Sequence, residues 1–223
     1  MEYVFRILPA LIGGAGETLR IFALTLVFSL PLGLPVAFGV MSRSYPVKFI
    51  SNAYVLLFRG TPLMLQLYFV YYALPLFTPV RLDRFTSAIF TFALNYAAYF
   101  AEIYRAGIQS IDKGQSEACV SLGFSKPQAL RLIILPQVVQ RIIPPVSNEV
   151  ITLVKDTALV AAIAVPELLK SARDAANRDV NPSSFIVAAC VYLALTSALT
   201  VLSKMLEKRF SRHEKEIGAE AAA

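Results

Sequence analysis

Residues 19–40 form a predominantly apolar run of 22 residues. As a helix such a run measures about 33 Å, enough to cross a hydrocarbon core of about 30 Å. Comparable runs recur at 54–77, 85–103, 138–165 and 185–202. Lipid cannot satisfy a bare backbone N–H or C=O, so runs of this length are expected to span as helices. The prediction is an all-α membrane protein with five transmembrane helices, residues 1–223 forming one transmembrane domain. Charge content agrees: 16% of residues are charged, against about 25% in soluble domains.

The net charge of +6 does not point to nucleic acid, because the Lys and Arg are spread between apolar runs instead of gathered in a patch. They carry topology instead. With five spans the termini lie on opposite sides, and the segments at 41–53, 107–136 and the tail at 203–223 share one face. With Arg105 and Arg141 that face holds twelve Lys or Arg, against six on the other. The positive-inside rule then places the N-terminus outside and the C-terminus in the cytoplasm. The first fifteen residues lack a basic start and a clear cleavage site and read as mature protein. Cys119 and Cys190 lie in chemically unlike places, and His213 stands alone in the charged tail, so no metal set or disulfide framework is readable.

Local signals refine the spans. Pro31 and Pro35 are expected to bend the first, and Gly33 and Gly39 to let a neighbour approach. Residues 42–52 read as a loop. Arg59-Gly60-Thr61-Pro62 interrupts the start of the second span, with Thr61 as cap, Pro62 in the first turn and Arg59 snorkelling to the headgroups. Pro144-Pro145 is expected to break the fourth span. Residues 167–183 read as a polar loop of balanced charge, and the tail at 203–223 as partly disordered at its alanine-rich end.

The fourth span carries acids. Glu149 and Asp156 are seven residues apart, which sets both on nearly one helix face about 10 Å from each other, with Thr152 between them. Neither has a basic residue three or four positions away. A carboxylate at membrane depth costs about 2.5–3.5 kcal/mol on insertion scales and normally faces a cavity or a partner. One reading has this face meeting a cationic or zwitterionic solute, Glu149 taking an ammonium. The other pairs the acids with Arg59, Arg105 or Lys155. Asn95 is a weaker solute candidate, since an amide in a span more often bonds between helices, and Tyr99 is a candidate for the same path.

Between the third and fourth spans lies a polar island, residues 114–137, GQSEACVSLGFSKPQALRLIILPQ. Its first part reads as a helix of about two turns stopped by Gly123 in a left-handed C-cap. Ser125, Pro127 and Gln128 then start a second helix with a capping box. Two short helices with a fixed bend make a rigid knob suited to a groove on a partner; the plainer alternative is an amphipathic linker on the headgroups. No Gly-Lys pair occurs, so the Walker A loop is missing and the chain is not expected to hydrolyse ATP or to act as an enzyme.

Glu117-Ala118-Cys119, Gly123 three residues on, and Ile133-x-Leu135-Pro136 nine further on resemble the coupling loop of permease subunits in ABC importers. Further blocks are similar to the polar amino acid branch, with its histidine, glutamine and arginine systems. They are Gly16-x-Thr18-Leu19, Arg59-Gly60-Thr61-Pro62, Ala98-Tyr99-x-Ala101-Glu102-Ile103, Arg105-Ala106-Gly107, Ser147-Asn148-Glu149 and Lys155-Asp156-Thr157-Ala158-Leu159. The resemblance implies the type I importer fold in a bacterial plasma (inner) membrane. It implies a second permease subunit, the same chain or a sister, two cytoplasmic ATPases that hold ATP and Mg, and an external solute-binding protein. Glu117, Ala118, Cys119, Gly123, Leu135 and Pro136 would be the ATPase-coupling residues, Cys119 standing where the pattern has alanine. Glu149 and Asp156 match positions where arginine-binding relatives place solute-contacting carboxylates. An ion-coupled secondary amino acid carrier is the alternative, though such folds usually show paired repeats over more helices; a non-transporting scaffold would leave the intramembrane acids unexplained.

Overall fold

The computed structural model describes residues 2–220, with side chains through 210. Helix α1, Glu2–Val40, is followed by α2, Tyr45–Gly60, and by α3, Leu63–Phe77, which is bent 104° from α2. Then come α4, Arg84–Gln109, α5, Lys113–Ser121, and α6, Lys126–Ile163. The chain closes with α7, Leu168–Asp179, and α8, Ser183–Glu220. No strand occurs among the described residues.

Helix α4 is the axis of the bundle. Asp83 caps it, its carboxylate accepting from the Thr86 hydroxyl and from the backbone N–H groups of Phe85 and Thr86, which holds this carboxyl below its ordinary range. One face of α4 is small, with Ala88, Ala97, Ala98 and Ala101 buried, so α1 packs close along it. Gly33 of α1 meets Phe100, Ala101 and Tyr104, where an added Cβ would stand 3.0–3.2 Å from their atoms. Gly39 faces Ser51 of α2 in the same way, so both glycines admit a neighbour as their spacing predicts. Phe92, Tyr96 and Phe100 fill the centre against Ile21, Leu67, Leu153 and Ile163.

A second apolar cluster joins the N-terminal half of α1 to α7 and α8, with Ile7 and Leu11 against Leu168, Ala172 and Ala175. Above it sits Glu167, fully buried. Its carboxylate caps α7 by accepting from the N–H groups of Leu169 (2.8 Å) and Lys170 (2.7 Å), and also accepts from the hydroxyls of Tyr192 (2.6 Å) and Thr18 (3.5 Å). One acid therefore ties α1, α7 and α8. Burial alone pushes the carboxyl upward, and these four donors act in the opposite direction. Removing a cap and stranding buried donors costs on the order of 3 kcal/mol. Glu167→Ala is accordingly expected to lower the melting temperature of the purified protein in detergent by several degrees, while a Tyr192→Phe change lowers it less.

Outward faces are apolar. Val27, Phe38, Leu57, Leu76, Ile186 and Leu193 are each more than half exposed. Such coverage fits a bilayer and not water. Three helices, α1, α6 and α8, are long and apolar enough to cross a membrane, or four if the bent α2–α3 pair is one span.

Several boundaries differ from the sequence expectations. Residues 45–52, read as a loop, form the first turns of α2, started by Pro46 behind Ser44. Residues 168–179, also read as loop, are a helix whose charges pair internally as Lys170–Asp174 and Arg178–Asp179, the latter joined by Arg6. Thr61 caps nothing ahead of it: its hydroxyl donates back to Leu57 O (2.7 Å), closing the end of α2. Pro144 and Pro145 do not break the fourth span, and α1 runs through Pro9, Pro31 and Pro35. Membrane helices tolerate proline where neighbours re-satisfy the freed carbonyls. The irregularities in α6 fall elsewhere, as a π turn at Leu130–Ile134 and a 3-10 end at Thr157–Ile163. Helix α8 continues to Glu220, and the end of the alanine-rich segment expected to be disordered, residues 221–223, lies outside the described residues.

Candidate functional site

The bend between α2 and α3 opens one wall of the site. At Gly60-Thr61-Pro62 the helix stops and leaves carbonyls without helical partners. The amide of Gln66 donates to Phe58 O (2.9 Å), Thr61 O (3.1 Å) and Thr61 Oγ1 (2.8 Å). Asn95 of α4 donates to the same Phe58 O and to Gln66 Oε1, both at 2.9 Å. Asn95, only 3% exposed, thus spends its amide hydrogens on the break. Gln66 is not among the residues the sequence singles out by spacing, although a glutamine in an otherwise apolar run is a visible signal. Asn95→Leu is expected to lower thermal stability by about 2 kcal/mol through the stranded carbonyl and amide, read as a lower melting temperature of the purified protein in detergent.

Facing that break is a cavity of about 470 Å³. Glu149, Thr152 and Asp156 of α6 form one wall, Asn95, Tyr96 and Tyr99 of α4 another, and Arg59 to Leu63 the third. All five solute candidates from the sequence meet here. The two acids differ. Asp156 accepts from the Tyr96 hydroxyl at 2.7 Å, a partner the sequence did not reveal. Glu149 has neither a hydrogen bond nor an ion pair among the described residues, and is half-buried on the cavity wall. Asp156 and the exposed Lys155 make no ion pair among the described residues, although they are neighbours in sequence.

The arginines expected as partners for these acids are engaged by Glu102. Arg105 donates to both Glu102 oxygens, at 2.5 and 3.0 Å, and Arg59 approaches to 3.8 Å. Arg59 also lies over the Tyr99 ring, 5.2 Å from its centroid. Below the first cavity a second, of about 440 Å³, continues toward Ser110 and Arg141, and shares Arg59, Tyr99 and Glu149 with it.

At the end of α4 the island forms the expected first helix, Gly123 stop and capping box, but the second helix is not short: it opens the long α6, so the knob is α5 with its turn. Asp112 caps α5, and Gly123 at φ +80° ends it in a Schellman motif, with Gly123 N–H bonded to Val120 O (3.0 Å) and Phe124 N–H to Cys119 O (2.9 Å). Gln128 Oε1 accepts from the Ser125 N–H (2.9 Å) and hydroxyl (2.7 Å), starting α6. Arg141 donates to Ser110 O, and Gln137 to Gln115, which pins the knob to α6. Glu117 and Ala118 are exposed, with Val120 and Leu122 beside them, while Cys119 is 4% exposed and packs inward, a place that suits a small side chain. Leu135 and Pro136 are not on the knob. They lie past the π turn and line a groove with Phe210 of α8.

An all-helical bundle with an apolar exterior, a polar cavity between broken helices and a capped knob at one end defines a membrane permease subunit. The chain belongs to the family described as the binding-protein-dependent transport system inner membrane component, whose profile matches residues 29–212. Its relatives are amino-acid ABC transport permeases, not enzymes. It is 39% identical over 207 residues to the L-cystine transport system permease protein TcyB of Bacillus subtilis, covering 92% of this chain and 88% of that one. It is 36% identical to the arginine transport system permease protein ArtQ of the same organism, covering 93% and 95%. A crystal structure of an amino acid ABC transporter with histidines superposes with a TM-score of 0.87 at 33% identity, covering 92% and 96%. The fold also matches an inward-facing MetNI methionine ABC transporter, with a TM-score of 0.74 at 18% identity.

Proposed function

We propose that this chain is the permease subunit of an ATP-driven importer and forms the translocation path for a polar or basic amino acid. An external solute-binding protein delivers the solute. The observation that carries the reading is the cavity wall of Glu149, Thr152 and Asp156, on which Glu149 keeps its carboxylate free. An unpaired carboxylate at membrane depth is costly unless a cation visits it, and every amino acid brings an ammonium. The cystine and arginine relatives agree with that class without selecting a member of it.

In this reading the chain crosses the membrane five times, by α1, the α2–α3 pair, α4, α6 and α8. The fifth crossing is α4, whose 26 residues span about 39 Å and whose polar face is covered by its neighbours. The knob at 113–123 lies in the cytoplasm, the N-terminus outside and the C-terminus inside. Two cytoplasmic ATPases bind ATP and Mg, and a second permease subunit, identical or sister, completes the path. ATP closes the ATPase pair, each seated knob moves with it, and the rigid link through Gly123 and α6 carries that motion to the wall bearing Glu149. The bundle alternates between outward-facing and inward-facing arrangements around the cavity.

Amino acid uptake by the assembled complex in proteoliposomes tests the energy source. With ATP supplied and the proton gradient collapsed, uptake is expected to persist. Uptake that stops with the gradient and ignores ATP would support an ion-coupled secondary amino acid carrier instead.

A further inference from the structure

Two cavities meet at Arg59. The upper one reaches Asp156, the lower one runs toward Arg141 and the knob, and Arg59, Tyr99 and Glu149 line both. Arg59, Tyr99 and Glu102 also line a third cavity of about 940 Å³. The Arg59 guanidinium is 39% exposed, lies over Tyr99, and has two carboxylates within its range. One is Glu102 at 3.8 Å; the other is Glu149, which lines both cavities with it. Glu102 is already held at 2.5 Å by Arg105, three residues further along α4. Its hold on Arg59 is therefore loose. A guanidinium loosely held beside an unpaired acid is a competitor for any cationic ligand of that acid.

Resting on the reading of the cavity as a solute site, we propose that Glu102 is a positioning residue for transport. It parks Arg59 over Tyr99, leaving Glu149 free for the solute ammonium, and Arg59 moving from Glu102 to Glu149 releases the solute toward the lower cavity. The two positions conserve charge: Glu149 exchanges one cation for another, and Glu102 keeps Arg105 while Arg59 is away. An ammonium arriving on Glu149 repels Arg59 back to Glu102, so the site resets when it refills. The device recognises an amino acid by its ammonium and asks nothing of the side chain, which suits a family whose members carry different solutes.

The test uses the whole complex in proteoliposomes, with uptake of whichever of arginine, glutamine and cystine the wild-type complex carries fastest. Glu102→Gln removes the parking acid, so Arg59 neutralises Glu149 and the KM is expected to rise about tenfold, a size usual for coupled sites. Glu102→Asp should return the KM toward wild type, and so should Arg59→Gln placed in the Glu102→Gln background. An unchanged KM in Glu102→Gln, or no recovery in the double variant, overturns the proposal. A measurement independent of solute uses Thr152→Cys, on the same cavity wall, with Cys119→Ala and Cys190→Ser in the detergent-solubilised complex. Adding Glu102→Gln should raise the ratio of modification by an anionic over a cationic methanethiosulfonate about fivefold while Glu149 is present, and much less in a Glu149→Gln background. A rise that is the same with and without the Glu149 carboxylate, or no rise at all, also overturns it. If Glu149→Gln itself leaves uptake intact, the reading of the cavity fails; if it impairs uptake while both Glu102 measurements are flat, only the parking role fails.

Discussion

Uptake by the Glu149→Gln variant is expected to fall about thirtyfold, equivalent to about 2 kcal/mol, the lower range for removing one partner of a desolvated charge pair. The substitution keeps the side chain's shape and removes only its charge, and Glu149 makes no hydrogen bond or ion pair that the change would disturb among the described residues. The loss should therefore appear in transport at a constant amount of assembled complex. Asp156→Asn is expected to cost less. Asp156 already accepts from Tyr96, and an amide oxygen can keep that bond. Undiminished uptake of every amino acid tested in Glu149→Gln would remove this residue from the solute site.

Gly123→Leu is expected to separate ATP hydrolysis from transport. Gly123 holds φ at +80°, where a side chain is strained by about 1–2 kcal/mol, although no neighbouring atom lies within 4 Å of an added Cβ. The penalty is thus in the backbone: relieving it means giving up the Schellman bonds to Val120 and Cys119 and with them the fixed angle between α5 and α6. Solute-stimulated ATPase activity should drop severalfold, and Gly123→Asn, which tolerates the left-handed region, should retain more. Unchanged coupling in Gly123→Leu would rule out the rigid knob.

Much of this was written in one dimension. Helix ends follow from residues next to each other, so Gly123, Ser125 and Gln128 announced the knob. Residues on one helix face follow from spacing, so Glu149, Thr152 and Asp156 announced a common wall. Contacts between helices follow from neither. Arg59 reaching Glu102, Tyr96 reaching Asp156, and Glu167 tying three helices depend on packing that brings distant residues together, whereas Arg105 on Glu102 is an i,i+3 pair of one helix. Helix α7 is a different case: Leu168, Ala172, Ala175 and Ala176 carry a helical stripe that its balanced charges obscured. Local rules misled at Pro144 and Pro145, because in a membrane bundle packing on neighbouring helices outweighs two missing N–H groups.

The most direct measurement is the side and the contact of position 117. In a Glu117→Cys variant of the assembled transporter, a membrane-impermeant maleimide should leave whole cells unlabelled and react in inside-out vesicles, and a short bifunctional reagent should join the position to the ATPase subunit in a nucleotide-dependent way. Labelling in whole cells, or a residue that joins no nucleotide-binding partner under any condition, would contradict the account.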